Sequence, residues 1–145
     1  GKSAVFITHK MDEVMAFAQR VEAADGVIIG CPEYDHSIPA VLKSALEWLS
    51  YQLDSLKYKP VLIVGGSYGP LGSARAQLHL RQILASPEIQ ANVLPGKEFL
   101  LGDVQTAIDS EGELVDPSAV AVLEDCFADF VRYVQALQRG WSQAQ

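Results

Sequence analysis

The sequence lacks most of the patterns that mark secreted, metal-bound or membrane-spanning proteins. It has two cysteines, Cys31 and Cys126, and no Cys-x-x-Cys pair, so we expect neither a disulfide framework nor a metal site. Its longest uninterrupted apolar runs are a handful of residues, whereas a membrane-spanning helix needs about 20. No positively charged segment is followed by a long apolar stretch, as in a signal peptide. These absences favour a cytoplasmic protein without a membrane partner.

Clusters of lysine and arginine are also absent. The 145 residues include 18 acidic and 11 basic side chains, for a formal net charge of −7. A diffuse negative charge favours solubility and repels polyanions, so we expect no nucleic-acid partner. Hydrophobic residues make up 49% of the chain, which is ordinary for a folded protein. The length predicts one domain over residues 1–145.

Short apolar runs alternate with segments of helical period along the chain. The first two strand candidates are apolar and rich in β-branched residues, as strands buried on both faces are. The strand candidates lie at residues 27–31, 60–64 and 98–101. Apolar residues recur at helical spacing at residues 11–24, 38–53 and 73–85, and from Pro117 to a tail that begins at Gly140. This alternation predicts an α/β fold with a mostly parallel sheet.

Two of the predicted helices begin beside a polar residue that can serve as an N-cap. Ser37 precedes the second helix, which tolerates Pro39 in its first turn. Asp116 precedes the last helix and places Pro117 at the first helical position. The acidic stretch at residues 102–116 has no regular period, so we interpret it as an exposed loop.

Two loops at the carboxyl ends of predicted strands are candidates for ligand binding, because open parallel sheets bind ligands there. The first, at residues 32–39, contains two prolines that restrict the backbone and fix the directions of nearby N–H groups. It can present amides to the polar edge of a flavin, with Tyr34 offering an aromatic face. An ordinary turn with an exposed tyrosine explains the pattern equally well. A lone loop histidine such as His36 is more often a surface residue than a catalyst.

The second candidate loop, at residues 65–72, contains four glycines. Glycine permits positive φ and close approach of the backbone to a planar ligand, although a flexible turn is equally glycine-rich. The order GxGxxG of a dinucleotide fingerprint is absent. Arg75 follows in the first turn of a helix, where the helix dipole disfavours a cation. A carboxylate or phosphate partner explains that position, and so does a simple surface arginine. His79 has no visible partner.

The two loops together resemble a known family. Residues 31–50, CPEYDHSIPAVLKSALEWLS, are similar to the PEYN-x-S-x-P-x-x-L-K-N-A-x-D-W-x-S signature of NADPH-dependent FMN reductases. Residues 59–61, 65–66 and 75–77 resemble that family's second flavin loop. The resemblance runs from about residue 12 to residue 138. It implies a flavodoxin-like three-layer sandwich with a mostly parallel sheet.

The resemblance also implies an enzyme that uses FMN as cofactor and NAD(P)H as co-substrate. Such an oxidoreductase passes electrons from bound FMN to a flavin, a quinone or another small acceptor. Hydride transfer to a flavin needs no protein nucleophile, so no catalytic side chain is expected. The first loop would line the isoalloxazine and ribityl side of FMN, and the second would approach its pyrimidine end. The cofactor-binding residues implied are Pro32, Glu33, Tyr34, Asp35, His36, Ser37, Gly66, Ser67, Tyr68 and Gly69.

The sequence departs from the family pattern at two places. Asp35 replaces the family's usual Asn and so lacks two hydrogen-bond donors at neutral pH, which alters flavin affinity or potential. The strand, GSxRxxSxN phosphate loop and helix that open the family's domain are not in this sequence, whose residues 4–7 resemble the end of its second strand. Two other interpretations therefore stay open. One is a flavodoxin-type electron carrier that binds FMN without using NAD(P)H, and the other is a scaffold without cofactor.

Members of the family commonly form dimers or tetramers through the helix after the first loop. The resemblance therefore implies a homodimer or homotetramer. Trp48, Leu49 and Tyr51 on that helix are candidates for the apolar contact face, and they are equally compatible with the core.

Overall fold

The structure is a computed structural model that describes residues 11–52 and 54–143. Helices and strands alternate along the chain, as the sequence predicts. They are α1 (Met11–Ala23), β1 (Val27–Gly30), α2 (Ala40–Gln52), β2 (Pro60–Gly66), α3 (Ala74–Leu84), β3 (Asn92–Val93), β4 (Phe99–Leu101), α4 (Val104–Ala107) and α5 (Pro117–Gln143). The apolar run at residues 4–7 lies outside the described residues.

The named strands form a parallel sheet centred on β2. Each residue of β1 pairs with one residue of the segment 61–64. On the opposite side, β2 pairs with β3 at its start and with β4 at its end, where Val64, Gly65 and Gly66 face Phe99, Leu100 and Leu101. The carboxyl ends of β1, β2 and β4 therefore meet at one edge. The predicted α/β fold with a mostly parallel sheet is confirmed.

Helices cover both faces of this sheet. Because alternate residues of a strand point to opposite faces, Val61 and Ile63 of β2 join one core and Leu62 joins the other. The first core is formed with α1, α2 and α3, and the second with α5. Their helical members are Ala18, Val21, Leu46, Leu49, Ala76, Leu80 and Leu84 in the first core, and Cys126 and Phe130 in the second. The arrangement is the three-layer sandwich that the resemblance implies.

The helix starts confirm one predicted cap and correct the other. The Oδ1 atom of Asp116 accepts hydrogen bonds from the amide and the hydroxyl of Ser118, both at 2.9 Å, and so caps α5 as predicted. The prediction that Ser37 caps α2 is wrong. The carbonyl of Pro39 accepts the first helical hydrogen bond, from the amide of Lys43 at 3.1 Å, and Ser37 lies outside the helix.

Short elements and the carboxyl end of α5 account for the remaining differences between prediction and structure. The stretch predicted as a loop at residues 102–116 contains α4 and an antiparallel bridge between Ile108 and Leu114. The two-residue strand β3 was not predicted, and α5 continues through Gly140 to Gln143. None of the helices in the described ranges has the length and apolar character that crossing a membrane requires.

Candidate functional site

An open cleft lies at the edge where the parallel strands end. Its volume is about 330 Å³, and it separates the loop after β1 from the loop after β2. This is the edge at which open α/β sheets bind ligands. The cleft is lined by Glu33, Asp35, His36, Ser67, Gly69, Pro70, Leu71 and Arg75.

The loop after β1 is folded into a tight two-residue turn. The amide of Tyr34 donates to the carbonyl of Ser37 at 2.9 Å, and the amide of Ser37 donates back to the carbonyl of Tyr34 at 3.0 Å. The two residues between them, Asp35 and His36, have φ of 46° and 66°. Turns with two left-handed residues favour Asn-Gly or Asp-Gly, so His36 carries a steric cost that glycine would not.

Glu33 fastens the same loop to the beginning of α3. Its Oε2 atom accepts hydrogen bonds from the amides of Arg75, at 3.0 Å, and Ala76, at 3.4 Å. Its Oε1 atom lies 3.1 Å from Nη1 of Arg75. The preceding N-cap residue of α3, Ser73, has a left-handed backbone and makes no capping hydrogen bond with its side chain. The carboxylate of Glu33, which is distant in sequence, thus caps α3. It is also the partner of Arg75, whose identity the sequence did not determine.

These contacts set the ionisation of Glu33. Burial acts to raise the pKa of its carboxyl, but the hydrogen bonds from Arg75 and Ala76 and the charge of Arg75 outweigh that effect. The pKa of Glu33 therefore lies below its ordinary value, and the carboxylate is charged at neutral pH.

Ser37 is bound to α3 as well. Its Oγ atom lies 2.8 Å from Nδ1 of His79, a residue for which the sequence indicated no partner. The loop is therefore attached to α3 on both sides of its turn, through Glu33 before the turn and Ser37 after it.

The loop after β2 is held together by Ser67. The hydroxyl of Ser67 donates to the carbonyl of Gly69 at 2.8 Å and accepts from the amide of Gly72 at 3.0 Å. Gly72 has φ of 58° and packs so closely on Leu100 that a Cβ atom would lie 2.4 Å from its carbonyl carbon. Around Gly69, in contrast, a Cβ atom would meet no other atom within 4 Å. The loop is thus tightly packed at its base and open at its tip.

A third loop, after β4, supports the second from behind. The amide of Ser67 donates to the carbonyl of Leu101 at 2.9 Å, and the amide of Val104 donates to the carbonyl of Ser67 at 3.1 Å. The amide of Asp103 also donates to the carbonyl of Gly69 at 3.2 Å. These hydrogen bonds attach the glycine loop to the segment after β4 at Ser67 and Gly69.

The ten residues predicted to bind a cofactor are divided between different positions. Glu33, Asp35, His36, Ser67 and Gly69 line the cleft. Pro32 and Tyr34 line a neighbouring apolar cavity of about 300 Å³. Tyr34 and Tyr68 are 63% and 77% exposed, so both rings are accessible to a ligand. The side chain of Ser37 is directed to α3, and Gly66 is paired with β4.

Two polar residues of α3 had no assigned role in the sequence prediction, although they support the site. Gln77 has no exposed surface and donates from Nε2 to the carbonyl of Phe99 at 2.9 Å, which joins α3 to β4. Its Oε1 atom has no hydrogen-bond partner among the described residues. His79 anchors Ser37 as described above. A polar residue on the buried face of a predicted helix was the available signal for Gln77, whereas nothing in the sequence indicates the partner of His79.

Nucleophilic and metal chemistry find no support among the described residues. Cys31, next to the cleft, is 1% exposed, and burial followed by the charge of Glu33 raises the pKa of its thiol to about 11. The thiol is therefore protonated at neutral pH and is a poor nucleophile. The described ranges contain no group of three or more His, Cys, Asp or Glu residues suited to a metal ion. The two loops beside the cleft instead carry the exposed rings of Tyr34 and Tyr68.

Comparisons with known proteins agree with this geometry. The sequence profile of a family described as NADPH-dependent FMN reductase matches residues 4–106. The chain is 54% identical over 127 residues to the NADH:(hydroxy)cinnamate reductase subunit CrdA of Vibrio ruber, covering 88% of this chain and 63% of that protein. It is 40% identical over 127 residues to the quinone reductase of Escherichia coli K12, covering 86% of this chain and 66% of that protein. The chain thus spans slightly less than two thirds of both relatives.

A solved structure shows the same fold. The flavoenzyme NAD(P)H:(acceptor) oxidoreductase FerB of Paracoccus denitrificans superposes with a TM-score of 0.74 at 26% sequence identity. The match covers 88% of this chain and 70% of that one. The two proteins therefore share the same overall fold.

Proposed function

Because the chain belongs to the NADPH-dependent FMN reductase family, we propose that it is part of an FMN-dependent NAD(P)H oxidoreductase. The proposed reaction takes electrons from NAD(P)H and passes them through bound FMN to a small acceptor. The names of the relatives, which include a quinone reductase and a (hydroxy)cinnamate reductase, support flavins, quinones and related conjugated molecules as acceptor classes.

The cleft between the loops after β1 and β2 is the observation that carries this proposal. It lies at the carboxyl ends of parallel strands, has two exposed tyrosines on its loops, and has open space at Gly69. The amides of Tyr68 and Gly69 donate no hydrogen bond to any part of the chain that the structure describes. Free N–H groups beside accessible aromatic rings fit the polar edge and the flat face of an isoalloxazine ring.

The proposal divides the ten predicted residues into two groups. We infer that Tyr34, Asp35, His36, Tyr68 and Gly69 lie against FMN, whereas Glu33, Ser37 and Ser67 hold the loops in place. Pro32 and Gly66 shape the backbone on either side. Bound FMN would supply the acceptance and release of hydride and single electrons. The protein would fix the ring, exclude water from one face and present amide donors to it.

We further propose that residues 1–145 form one domain and that the protein is a cytoplasmic homodimer or homotetramer. Of the three residues predicted for the contact face of α2, Trp48 and Tyr51 are 39% and 80% exposed, whereas Leu49 is 4% exposed and belongs to the core. The exposed pair supports self-association, together with Val41, which is 54% exposed. Large apolar side chains grouped on one helix commonly mark an interface between proteins. Cys31 and Cys126 are both free thiols, as expected in a reducing compartment.

The proposal is tested by adding FMN to the purified chain, removing the excess and recording the visible spectrum. We expect a retained flavin band that bleaches rapidly when NADH or NADPH is added without oxygen. A retained band that neither nucleotide bleaches would favour an electron carrier. A folded chain without flavin would contradict FMN binding by this chain and would favour the scaffold interpretation.

A further inference from the structure

We propose that His79 is a positioning residue for the FMN site, through its hydrogen bond to Ser37. This inference rests on the proposed function for the identity of the ligand. Nδ1 of His79 lies 2.8 Å from Oγ of Ser37, and 42 residues separate the two in the chain. A serine hydroxyl both donates and accepts, so this bond is compatible with either neutral tautomer of His79.

The hydrogen bond of His79 is the second of two attachments between the loop and α3. Glu33, before the turn, binds the amides of Arg75 and Ala76, and Ser37, after the turn, binds His79. Arg75 and His79 are one helical turn apart, so they lie on the same face of α3. The two attachments therefore hold the two ends of the turn against one rigid helix.

The turn needs such support because its own conformation is weakly stabilised. Asp35 and His36 both have positive φ, which is unfavourable for residues with side chains. Only two backbone hydrogen bonds close the turn, and an isolated two-stranded hairpin is barely stable in water. Without the bond to His79, the carboxyl end of the turn would keep its backbone hydrogen bonds and the packing of Ile38 in the core, but Ser37 would lose its attachment to α3. Tyr34 and Asp35 would then sample more orientations at the cleft.

The helix that carries His79 is well suited to this task. Ala76, Gln77, Leu80 and Leu84 of α3 have no exposed surface, and Gln77 fixes the helix to β4. His79 itself is exposed and is not one of these core residues. Its replacement therefore removes the bond to Ser37 without creating a cavity, and the fold is expected to persist.

The experiment compares His79→Ala, Ser37→Ala, the double variant and His79→Asn. An asparagine amide places a hydrogen-bonding group near the position of Nδ1, so His79→Asn keeps the bond. Gln82→Ala, at an exposed residue of the same helix, is the matched control. Two quantities are measured: the dissociation constant for FMN, and hydrogen–deuterium exchange of the amides at residues 34–37 in the FMN-free protein. Thermal unfolding of each variant confirms that it is folded.

We expect His79→Ala to raise the FMN dissociation constant and the amide exchange rate by about threefold to tenfold, the range for one lost hydrogen bond. Ser37→Ala should do the same, and the double variant should be no worse than either single one, because both remove one bond. His79→Asn should lie within about twofold of the parent, as should Gln82→Ala.

Unchanged exchange in His79→Ala, or effects that simply add in the double variant, would overturn the inference. Faster exchange with unchanged FMN affinity would also overturn it, since His79 would then brace the turn without positioning a ligand. If the parent chain binds no FMN, the proposed function fails and exchange at residues 34–37 alone decides whether His79 holds the turn.

Discussion

Glu33 and Arg75, 42 residues apart in the chain, are joined both by an ion pair and by a helix cap. Nη1 of Arg75 lies 3.1 Å from Oε1 of Glu33, and the backbone amide of Arg75 lies 3.0 Å from Oε2. One carboxylate thus neutralises a cation at a helix start and satisfies two amides of that helix. It also fixes the position of the loop that lines the cleft, so stability and ligand binding both depend on it.

Glu33→Gln should lower the free energy of unfolding in a pH-dependent way. The pKa of Glu33 is depressed in the folded state, so its charged form contributes stability above the ordinary carboxyl pKa of about 4.3. That contribution is lost as pH falls through the folded pKa. Urea unfolding of the parent and the variant should therefore differ at pH 7 and converge at acidic pH.

Glu88→Gln, at an exposed carboxylate in the segment that follows α3, is the control for the loss of one negative charge. It should change stability by no more than about 0.5 kcal/mol at any pH. A difference between the parent and Glu33→Gln that stays constant down to pH 3 would show that the charge of Glu33 is not the cause.

The sequence predicted the layout of the fold but not the contacts between its loops. The spacing of apolar residues predicted the positions of the longer strands and helices, because the buried residues of an element recur at a regular interval within it. β3 and α4 were missed because two to four residues are too short to show a period. The strand β2 was predicted to stop at Val64, yet it continues through Gly66 because β4 pairs with that segment. Glycine there serves close packing and not a turn.

At the candidate site, too, local patterns were predictable from the sequence and contacts between distant segments were not. A motif placed both loops at the cleft, but the partners of Glu33 and Ser37 lie on a helix more than 40 residues further along the chain. No local spacing relates a loop serine to a histidine at that distance. The N-cap assignment of Ser37 failed for this reason, since its hydroxyl bonds to His79 and the helix begins at Ala40.

Gly65→Ala should lower the free energy of unfolding by at least about 1–3 kcal/mol, because the added methyl group would clash with closely packed atoms. A Cβ atom there would lie 2.1 Å from Oγ of Ser73 and 2.4 Å from the carbonyl oxygen of Cys31. Gly69→Ala is the matched comparison, because its Cβ atom would meet nothing within 4 Å. It should unfold within about 0.5 kcal/mol of the parent and weaken FMN binding, since it places a methyl group at the cleft. Chemical denaturation and FMN titration of both variants check this, and equal stability of the two would contradict it.

Tyr51→Glu should shift the protein toward monomers if α2 forms the contact between subunits. Tyr51 is 80% exposed, and a charge at an apolar interface would have to be desolvated on association. Sedimentation velocity at micromolar concentration measures the change. Val115→Glu introduces the same charge at an exposed apolar residue away from α2 and should leave the oligomeric state unchanged. Equal sedimentation of the parent and Tyr51→Glu would place any interface elsewhere.

Lys59→Met should cost about 1 kcal/mol of stability. The ammonium group of Lys59 donates to the carbonyls of Glu22 and Ala24, at 2.8 and 2.6 Å, where α1 ends and its carbonyls lack helical partners. Methionine keeps most of the side-chain volume but removes the donors and the charge. Lys43→Met, at an exposed lysine of α2, should change the free energy of unfolding by less than about 0.5 kcal/mol in the same urea titration. Similar losses in both variants would point to net charge as the cause.

Asp35→Asn should tighten FMN binding without destabilising the protein. Asp35 has φ of 46°, a conformation that Asn tolerates at least as well, and it lines the cleft. The amide would add two donors and remove a negative charge beside a cofactor whose phosphate is anionic and whose reduced ring carries negative charge. Both effects also predict a higher reduction potential for the bound flavin. Asp54→Asn is the control for the effect of an Asp-to-Asn change at a residue with positive φ. Asp54 has φ of 49° but is not among the residues that line the cleft. If Asp54→Asn changes FMN affinity and potential as much as Asp35→Asn does, the charge at the cleft is not what tunes the flavin.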